Sequence, residues 1–247
     1  MLINGQWTTS AKQFDVINPA NGETIERVPD GGRAAAVDAI DAAHSAFKAW
    51  AGRTAYERAE ILSRAYQMML DDKEHLAQTM TREQGKPIRA ARIEVQYGAD
   101  FLLWFAEEAK RVYGEVIPSP RGDQRFITLR QPVGVVAAIT PWNYPISMIT
   151  RKVGPALAAG CTVVLKPAEA TPLCAIEVFK ILERAGVPEG VINLVTTSDP
   201  APVGEEFVTN PKVRKLTFTG STAVGKMLAG KAAANMKRVS CELGGHA

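Results

Sequence analysis

Residues Val133 to Pro145 read VGVVAAITPWNYP, a run of β-branched and small apolar residues that stops at a Pro-bounded polar turn. Further short runs follow: CTVVLK (161–166), VINLV (191–195), RKLTFT (214–219) and KRVSCEL (237–243). Between them lie stretches of helix length in which Ala, Leu, Glu and Lys recur at helical spacing. Strands that are apolar throughout, instead of alternating, are covered on both faces, and intervening helices supply the cover. The expected fold is therefore α/β, a Rossmann-like doubly wound parallel sheet. In such sheets ligands bind beyond the carboxyl ends of the strands. The informative segments are then the ones that follow each run: TPWNYP, KPAEATP, TTSDPAPVG, FTGSTAVG and ELGG.

Working upstream, Gly31 to Gly114 is rich in Ala, Glu, Arg and Gln with apolar residues at helical spacing, and reads as packed amphipathic helices. Thr54 followed by Glu57 forms a capping box for a helix through Ile61, Leu62, Ala65 and Met69. Gly85 and Pro87 separate two helices, and the second carries Ile93, Tyr97, Phe101 and Trp104 on one face, expected to be core. The N-terminal segments INGQWTT and FDVINPANGETIERV read as short strands, with Asn21-Gly22 as a hairpin turn. EVIPSPRGDQRFITLRQP reads as a projecting β-hairpin with a polar Arg-Gly-Asp-Gln tip.

The 247 residues are 46% apolar and 22% charged, which excludes a disordered or collagen-like chain. The 29 Lys and Arg and 26 Asp and Glu are scattered, so no nucleic-acid footprint is expected. The longest nearly apolar stretch, Pro155 to Leu165, falls short of the roughly 20 residues a membrane helix needs. The start lacks a basic segment leading into an apolar one, and the cysteines, Cys161, Cys174 and Cys241, are far apart. Neither a secretory signal nor a disulfide or metal framework is expected, and a cytoplasmic location is. His44, His75 and His246 are isolated.

LTFTGSTAVGKM places a strand, Gly220-Ser221-Thr222 and a helix in succession, where glycine amides and a helix N-terminus suit an anion. GSTAVGK also fits the first positions of a P-loop, but Met227 stands where that loop needs a hydroxyl for Mg²⁺, so an NTPase is a minor alternative. A G-x-G-x-x-G after VGVVAAI is absent, so any dinucleotide would be held unconventionally.

TPWNYP, LKPAEATP, FTGSTAVG and ELGG, in this order and spacing, resemble the aldehyde dehydrogenase superfamily, and INPANGETI and EQGKP fit the same family. WFAEEAKRVYGE and MITRKVGPALAAGC are similar to its succinate-semialdehyde branch. The resemblance implies attack on an aldehyde by a cysteine thiolate, hydride transfer to NAD(P)⁺ and hydrolysis of a thioester to a carboxylic acid. It matches Asn143 to the oxyanion-stabilising amide and Glu242 to the general base that activates water. A neutral fixed donor suits developing negative charge without titrating. Lys166 and Glu169 match residues that hold the adenosine ribose, where a carboxylate would repel a 2′-phosphate, so NAD is expected to be preferred over NADP. Trp142 and Ser221 match pyrophosphate contacts, and Ile139, Thr140 and Pro141 line the way to the nicotinamide. Gly204 matches the adenine side, Leu243 a backbone contact with nicotinamide, and Phe218, Gly220 and Gly225 belong to the same coenzyme set. Arg151 matches the arginine that takes the distal carboxylate of a semialdehyde, a task for which a guanidinium fork is suited.

By resemblance, the whole of residues 1–247 is an NAD-binding domain, with 115–132 a hairpin that joins the family's oligomers. The family nucleophile is expected downstream, in a catalytic domain outside this chain, because Cys161, Cys174 and Cys241 read as buried small residues. The polypeptide by itself is then expected to be inactive in aldehyde oxidation. A stand-alone nucleotide-binding piece is the alternative from another functional class.

Overall fold

The computed structural model describes residues 1–245. The chain opens with β1 (Leu2–Ile3) and β2 (Gln6–Trp7), joined through Asn4 and Gly5 at positive φ, and continues with β3 (Gln13–Ile17) and β4 (Thr24–Pro29). Asn4-Gly5 supplies the left-handed pair that a two-residue hairpin requires. Four helices follow: α1 (Gly32–Ala51), α2 (Ala55–Asp71), α3 (Lys73–Gln84) and α4 (Ile88–Ala109). The Thr54–Glu57 capping box forms at the start of α2, and Gly85 in the left-handed region ends α3. A two-stranded arm, β5 (Glu115–Ile117) and β6 (Phe126–Thr128), pairs Val116 with Ile127 in antiparallel register.

The rest alternates strand and helix: β7 (Val135–Ile139), α5 (Ser147–Ala158), β8 (Thr162–Lys166), α6 (Pro172–Arg184), β9 (Ile192–Leu194), α7 (Pro200–Thr209), β10 (Val213–Thr219), α8 (Thr222–Ala234) and β11 (Arg238–Glu242). The main sheet runs β11-β10-β7-β8-β9-β1-β2. The strands from β7 onward pair in parallel, whereas β1 joins β9 antiparallel and β2 extends that edge. The N-terminal hairpin thus completes the sheet, because the Asn193 side chain accepts from the Asn4 amide at 2.9 Å and donates to the Gly190 carbonyl at 2.8 Å.

Period-two alternation divides each central strand between two cores. Val136, Ala138, Val163 and Leu165 face the side packed by α2 to α6, while Val135, Ala137, Ile139 and Val164 face α1, α7 and α8. The chain order reverses between β7 and β10, so the crevice at their carboxyl ends is the topological switch point where this architecture binds ligands.

One expectation fails on α4. Ile93, Tyr97 and Trp104 are exposed, at 71%, 47% and 64%, and Phe101 is half-buried. The buried stripe is Ala91, Val95, Gly98, Ala99, Leu102 and Ala106. Small residues win because α4 packs tightly against the start of α5: a Cβ at Gly98 would lie 2.9 Å from the Ile146 side chain. The bulky stripe cannot approach that closely and faces away from both cores.

The N-termini of α5 and α6 have no side-chain cap of their own. Buried carboxylates from the helical half supply it. Glu94 accepts from the Ile146 and Ser147 amides at 3.0 and 3.2 Å, and Glu83 from the Leu173 and Cys174 amides at 2.7 Å each. These are orphan donors that a helix start must satisfy somewhere. Burial pushes the Glu83 carboxyl up from 4.5 to about 7, against the pull of those amides. A carboxyl raised in the folded state still holds a proton that the unfolded chain has released, so stability falls as pH rises from 4.5 to about 7. The expected loss is on the order of 3 kcal/mol across that window. The difference in stability between the native protein and Glu83→Gln, measured by urea unfolding, should fall as pH rises through this window, the comparison cancelling the opposite contribution of the Met1 amine, whose pKa burial lowers to about 6. A difference that does not change with pH contradicts this assignment.

Candidate functional site

A cavity of about 420 Å³ opens at the switch point. Its floor comes from the ends of β7 and β10, with Ile139, Thr140, Pro141 and Trp142 on one side and Phe218, Gly220 and Ser221 on the other. Lys166 and Glu169, which follow β8, and Gly204 on α7 close the far end. Ten of the twelve residues expected to hold a coenzyme therefore share one cavity. Gly225 and Leu243 do not line it. They sit beside it against each other, because a Cβ at Gly225 would collide with the Leu243 side chain. A Cβ at Gly220 would likewise collide with the Phe218 ring, so glycine is needed where the strand turns into α8.

Ser221 is the N-cap of α8, its hydroxyl accepting from the Val224 amide at 3.4 Å, and Gly220 donates to the Glu242 carbonyl at 3.2 Å. The helix begins at Thr222, which places Gly225 and Lys226 inside it. A P-loop needs that segment as an open loop curled around phosphates. The NTPase reading is therefore excluded by the position of the helix start as well as by Met227. Met227, with Val224 and Leu228, instead builds an apolar wall of the cavity, and the Lys231–Glu205 ion pair stands at its rim. These wall residues lie three to four apart from Ser221 onward, the one sequence signal by which they were findable.

At the mouth of the same crevice, TPWNYP turns from β7 into α5. Lys86, from the EQGKP turn, donates to the Asn143 carbonyl at 2.8 Å, pairs with Glu94, and stands 4.0 Å over the Tyr144 ring. The backbone of Asn143 is thus held from α4 and the α3–α4 turn, while its side chain is exposed. Glu242 ends β11 opposite Thr219, whose hydroxyl donates to its carboxylate at 3.4 Å. Arg151, one turn into α5, reaches the same carboxylate, Nη2 to Oε1 at 3.0 Å. The expected oxyanion donor, base and substrate arginine therefore come from three elements that meet at one end of the sheet.

Lys152 escaped the sequence reading. It is buried on the inner face of α5, and its Nζ donates to Thr217 Oγ1 at 3.1 Å. Burial lowers its ammonium to about 8, opposed by the nearby Glu242 charge. Only a lysine on the apolar side of the helix, between Ile149 and Val153, hinted at it.

Cys161 and Cys174 are buried, and burial pushes both thiols up. Cys241 is half-buried, contrary to the expectation of full burial, and its side chain packs on the core beside Phe218 because β11 is an edge strand. His44 is exposed, and His75 faces Glu177 at 3.1 Å, while His246 lies outside the described residues. Among the described residues no cluster of three or more His, Cys, Asp or Glu can hold a metal ion, and no helix is long and apolar enough to cross a membrane.

A doubly wound sheet with a glycine-edged cavity at its switch point is the architecture in which α/β proteins bind ligands, dinucleotides among them. The sequence matches the aldehyde dehydrogenase family over residues 7–247, and the chain belongs to that family. It is 52% identical to the NADP⁺ succinate-semialdehyde dehydrogenase GabD of Escherichia coli, with 100% of this chain and 51% of that protein covered. It is 53% identical to a 3-sulfolactaldehyde dehydrogenase of Pseudomonas putida, with the same coverage. A structure of betaine aldehyde dehydrogenase from Staphylococcus aureus in complex with NAD⁺ superposes with a TM-score of 0.96 at 37% identity, covering 99% of this chain and 49% of that one. The chain thus spans about half the length of the curated relatives it matches.

Proposed function

We propose that this chain is the coenzyme-binding portion of an enzyme that oxidises an anionic aldehyde of the succinic semialdehyde type with NAD, and that its nucleophile belongs to a catalytic domain not included in residues 1–247. The observation that carries the reading is the Arg151–Glu242 contact beside Thr219, a lining residue of a cavity suited to a dinucleotide, at the end of the sheet from which the turn bearing Asn143 also leaves β7. The cavity fits the coenzyme on three grounds. Gly220 lets backbone approach an anion, the α8 N-terminus faces it with partial positive charge, and Glu169 offers two acceptor oxygens to a ribose. Trp142 and Ser221 would hold the pyrophosphate, Lys166 and Glu169 the ribose, and NAD when bound supplies the hydride acceptor.

The remaining work falls to the chain's own side chains. Asn143 donates to the oxygen on which negative charge develops, and the Lys86 contact keeps that turn from moving. Arg151 receives the anionic end of the aldehyde. Glu242 takes a proton from water. Glu169 supports NAD over NADP, although the E. coli relative is named for NADP⁺. The arm at 115–132 exposes Val116, Phe126, Ile127 and Leu129, an apolar ribbon suited to pairing with another subunit.

The test uses two proteins. Residues 1–247 should bind NAD by calorimetry and yet produce no NADH from succinic semialdehyde, since Cys161 and Cys174 are buried and Cys241 packs on the core. A fusion of this chain to the remaining half of the E. coli relative should oxidise that aldehyde. In the fusion Asn143→Ala should lower kcat by about 10²–10³. A folded, NAD-binding fusion with no activity, or with activity indifferent to Asn143, overturns the proposal.

A further inference from the structure

Both oxygens of the Glu242 carboxylate are engaged, one by Arg151 at 3.0 Å and the other by Thr219 at 3.4 Å. The guanidinium occupies the position beside Oε1 that a water would need in order to approach that oxygen. Arg151 itself is only half-buried and lies 5.6 Å over the Phe101 ring, which is edge-on to Tyr97 at a centroid distance of 4.8 Å. Its guanidinium thus has the Phe101 face on one side and the Glu242 carboxylate on another, and about a third of the side chain is open to solvent. Lys152 does not share that role, since its ammonium is turned inward to Thr217.

We propose that Arg151 is an exchangeable counter-ion: it holds Glu242 while the site is empty and transfers to the anionic end of the incoming aldehyde, which frees the base. The inference rests on the reading of Arg151 and Glu242 given above. It makes the anionic group of the substrate a part of the catalytic cycle as well as a handle for binding. An aldehyde without that group would leave Glu242 paired, and would be penalised in the hydrolytic step as well as in affinity. The arrangement also sets Arg151 apart from an ordinary anchoring arginine, whose guanidinium would wait unpaired or solvated.

The probe is succinamate, which presents one carboxylate to Arg151 and a neutral amide at its other end, with succinamide as the uncharged control. Its affinity for residues 1–247 is measured by NMR titration. Glu242→Gln, which keeps the shape and removes the competitor, should bind succinamate about tenfold more tightly than the native chain. The carboxyl ¹³C resonance of Glu242, assigned by its absence in Glu242→Gln, should move on succinamate saturation to the position it holds in Arg151→Gln. Succinamide should leave it unmoved. NAD affinity checks that each variant is folded.

Equal affinity in the native chain and Glu242→Gln overturns the exchange and leaves Arg151 as a plain anion site. Tighter binding without movement of the Glu242 resonance also overturns it, since simple charge repulsion then explains the gain. Absence of succinamate binding in both proteins overturns the exchange together with the reading of Arg151 on which it rests.

Discussion

If Glu169 sets the proposed preference for NAD, replacing it by Ser is expected to shift the ratio of NAD to NADP affinity by about two orders of magnitude. The carboxylate stands at the cavity end beside Lys166, with which it forms an ion pair. A unit charge placed about 4 Å from a 2′-phosphate costs about 4 kcal/mol at an effective dielectric of 20. Glu169 is 38% exposed, so screening reduces that figure by half or more. Serine would also give up ribose hydrogen bonds worth about 0.5–1.5 kcal/mol each, which weakens NAD while NADP tightens. Lys166 is buried, and burial lowers its pKa against the pull of Glu169. In the variant that ammonium loses its partner, and the 2′-phosphate becomes its natural replacement. Calorimetry with both coenzymes at two salt concentrations reads the effect, and the NADP gain should shrink at high salt. An unchanged NAD to NADP ratio in Glu169→Ser removes Glu169 as the determinant.

The elements that carry this cavity were legible because their signals are local. Short β-branched runs marked β7, β8, β9, β10 and β11, and the segments after β7, β8 and β10 supplied much of the lining. Thr54–Glu57 and Asn21-Gly22 were legible for the same reason, each being a contact across three residues or fewer. What was hidden depends on partners distant in sequence. Nothing near Ile146 or Thr171 announces that α5 and α6 lack caps, and nothing near Glu83 or Glu94 announces that they supply them across some 90 and 52 positions. The α4 stripes show the opposite failure. Both are apolar at helical spacing, and the sequence offers no local reason to bury Ala91, Gly98 and Ala99 before Tyr97 and Trp104. The choice is made by how closely α5 approaches, a property of the packed pair. Lys152 was missed because lysine is read as surface by default, and only the end of β10 beneath it, at Thr217, explains its burial. The pairing of Arg151 with Glu242 spans two motifs that were read separately.

The largest expected loss of stability belongs to Glu94, which links those hidden contacts to the site. Its side chain is 1% exposed, it caps α5 through two amides, and it pairs with Lys86, whose ammonium in turn holds the Asn143 carbonyl. Glu94→Ala strands a nearly buried ammonium and two orphan amides at once, and removing one member of a buried pair costs about 3–5 kcal/mol. Glu94→Gln should cost less, since both amides donate to the same oxygen, Oε1, which the glutamine side chain retains, and only the ion pair of Oε2 with Lys86 is lost. Lys86→Met alone leaves the capping role intact and should be milder than Glu94→Ala, and the double variant Lys86→Met with Glu94→Ala should be less damaging than the two single losses added together. The pattern distinguishes a cap from a charge pair, because a pure cap predicts no coupling with Lys86. Urea unfolding gives the four stabilities, and NAD affinity measured on the same proteins reports on Trp142, the cavity residue next to the clamped turn. A Glu94→Ala protein within about 1 kcal/mol of native would mean that water replaces the carboxylate at the α5 terminus, and the Asn143 turn would then owe its position to the sheet alone.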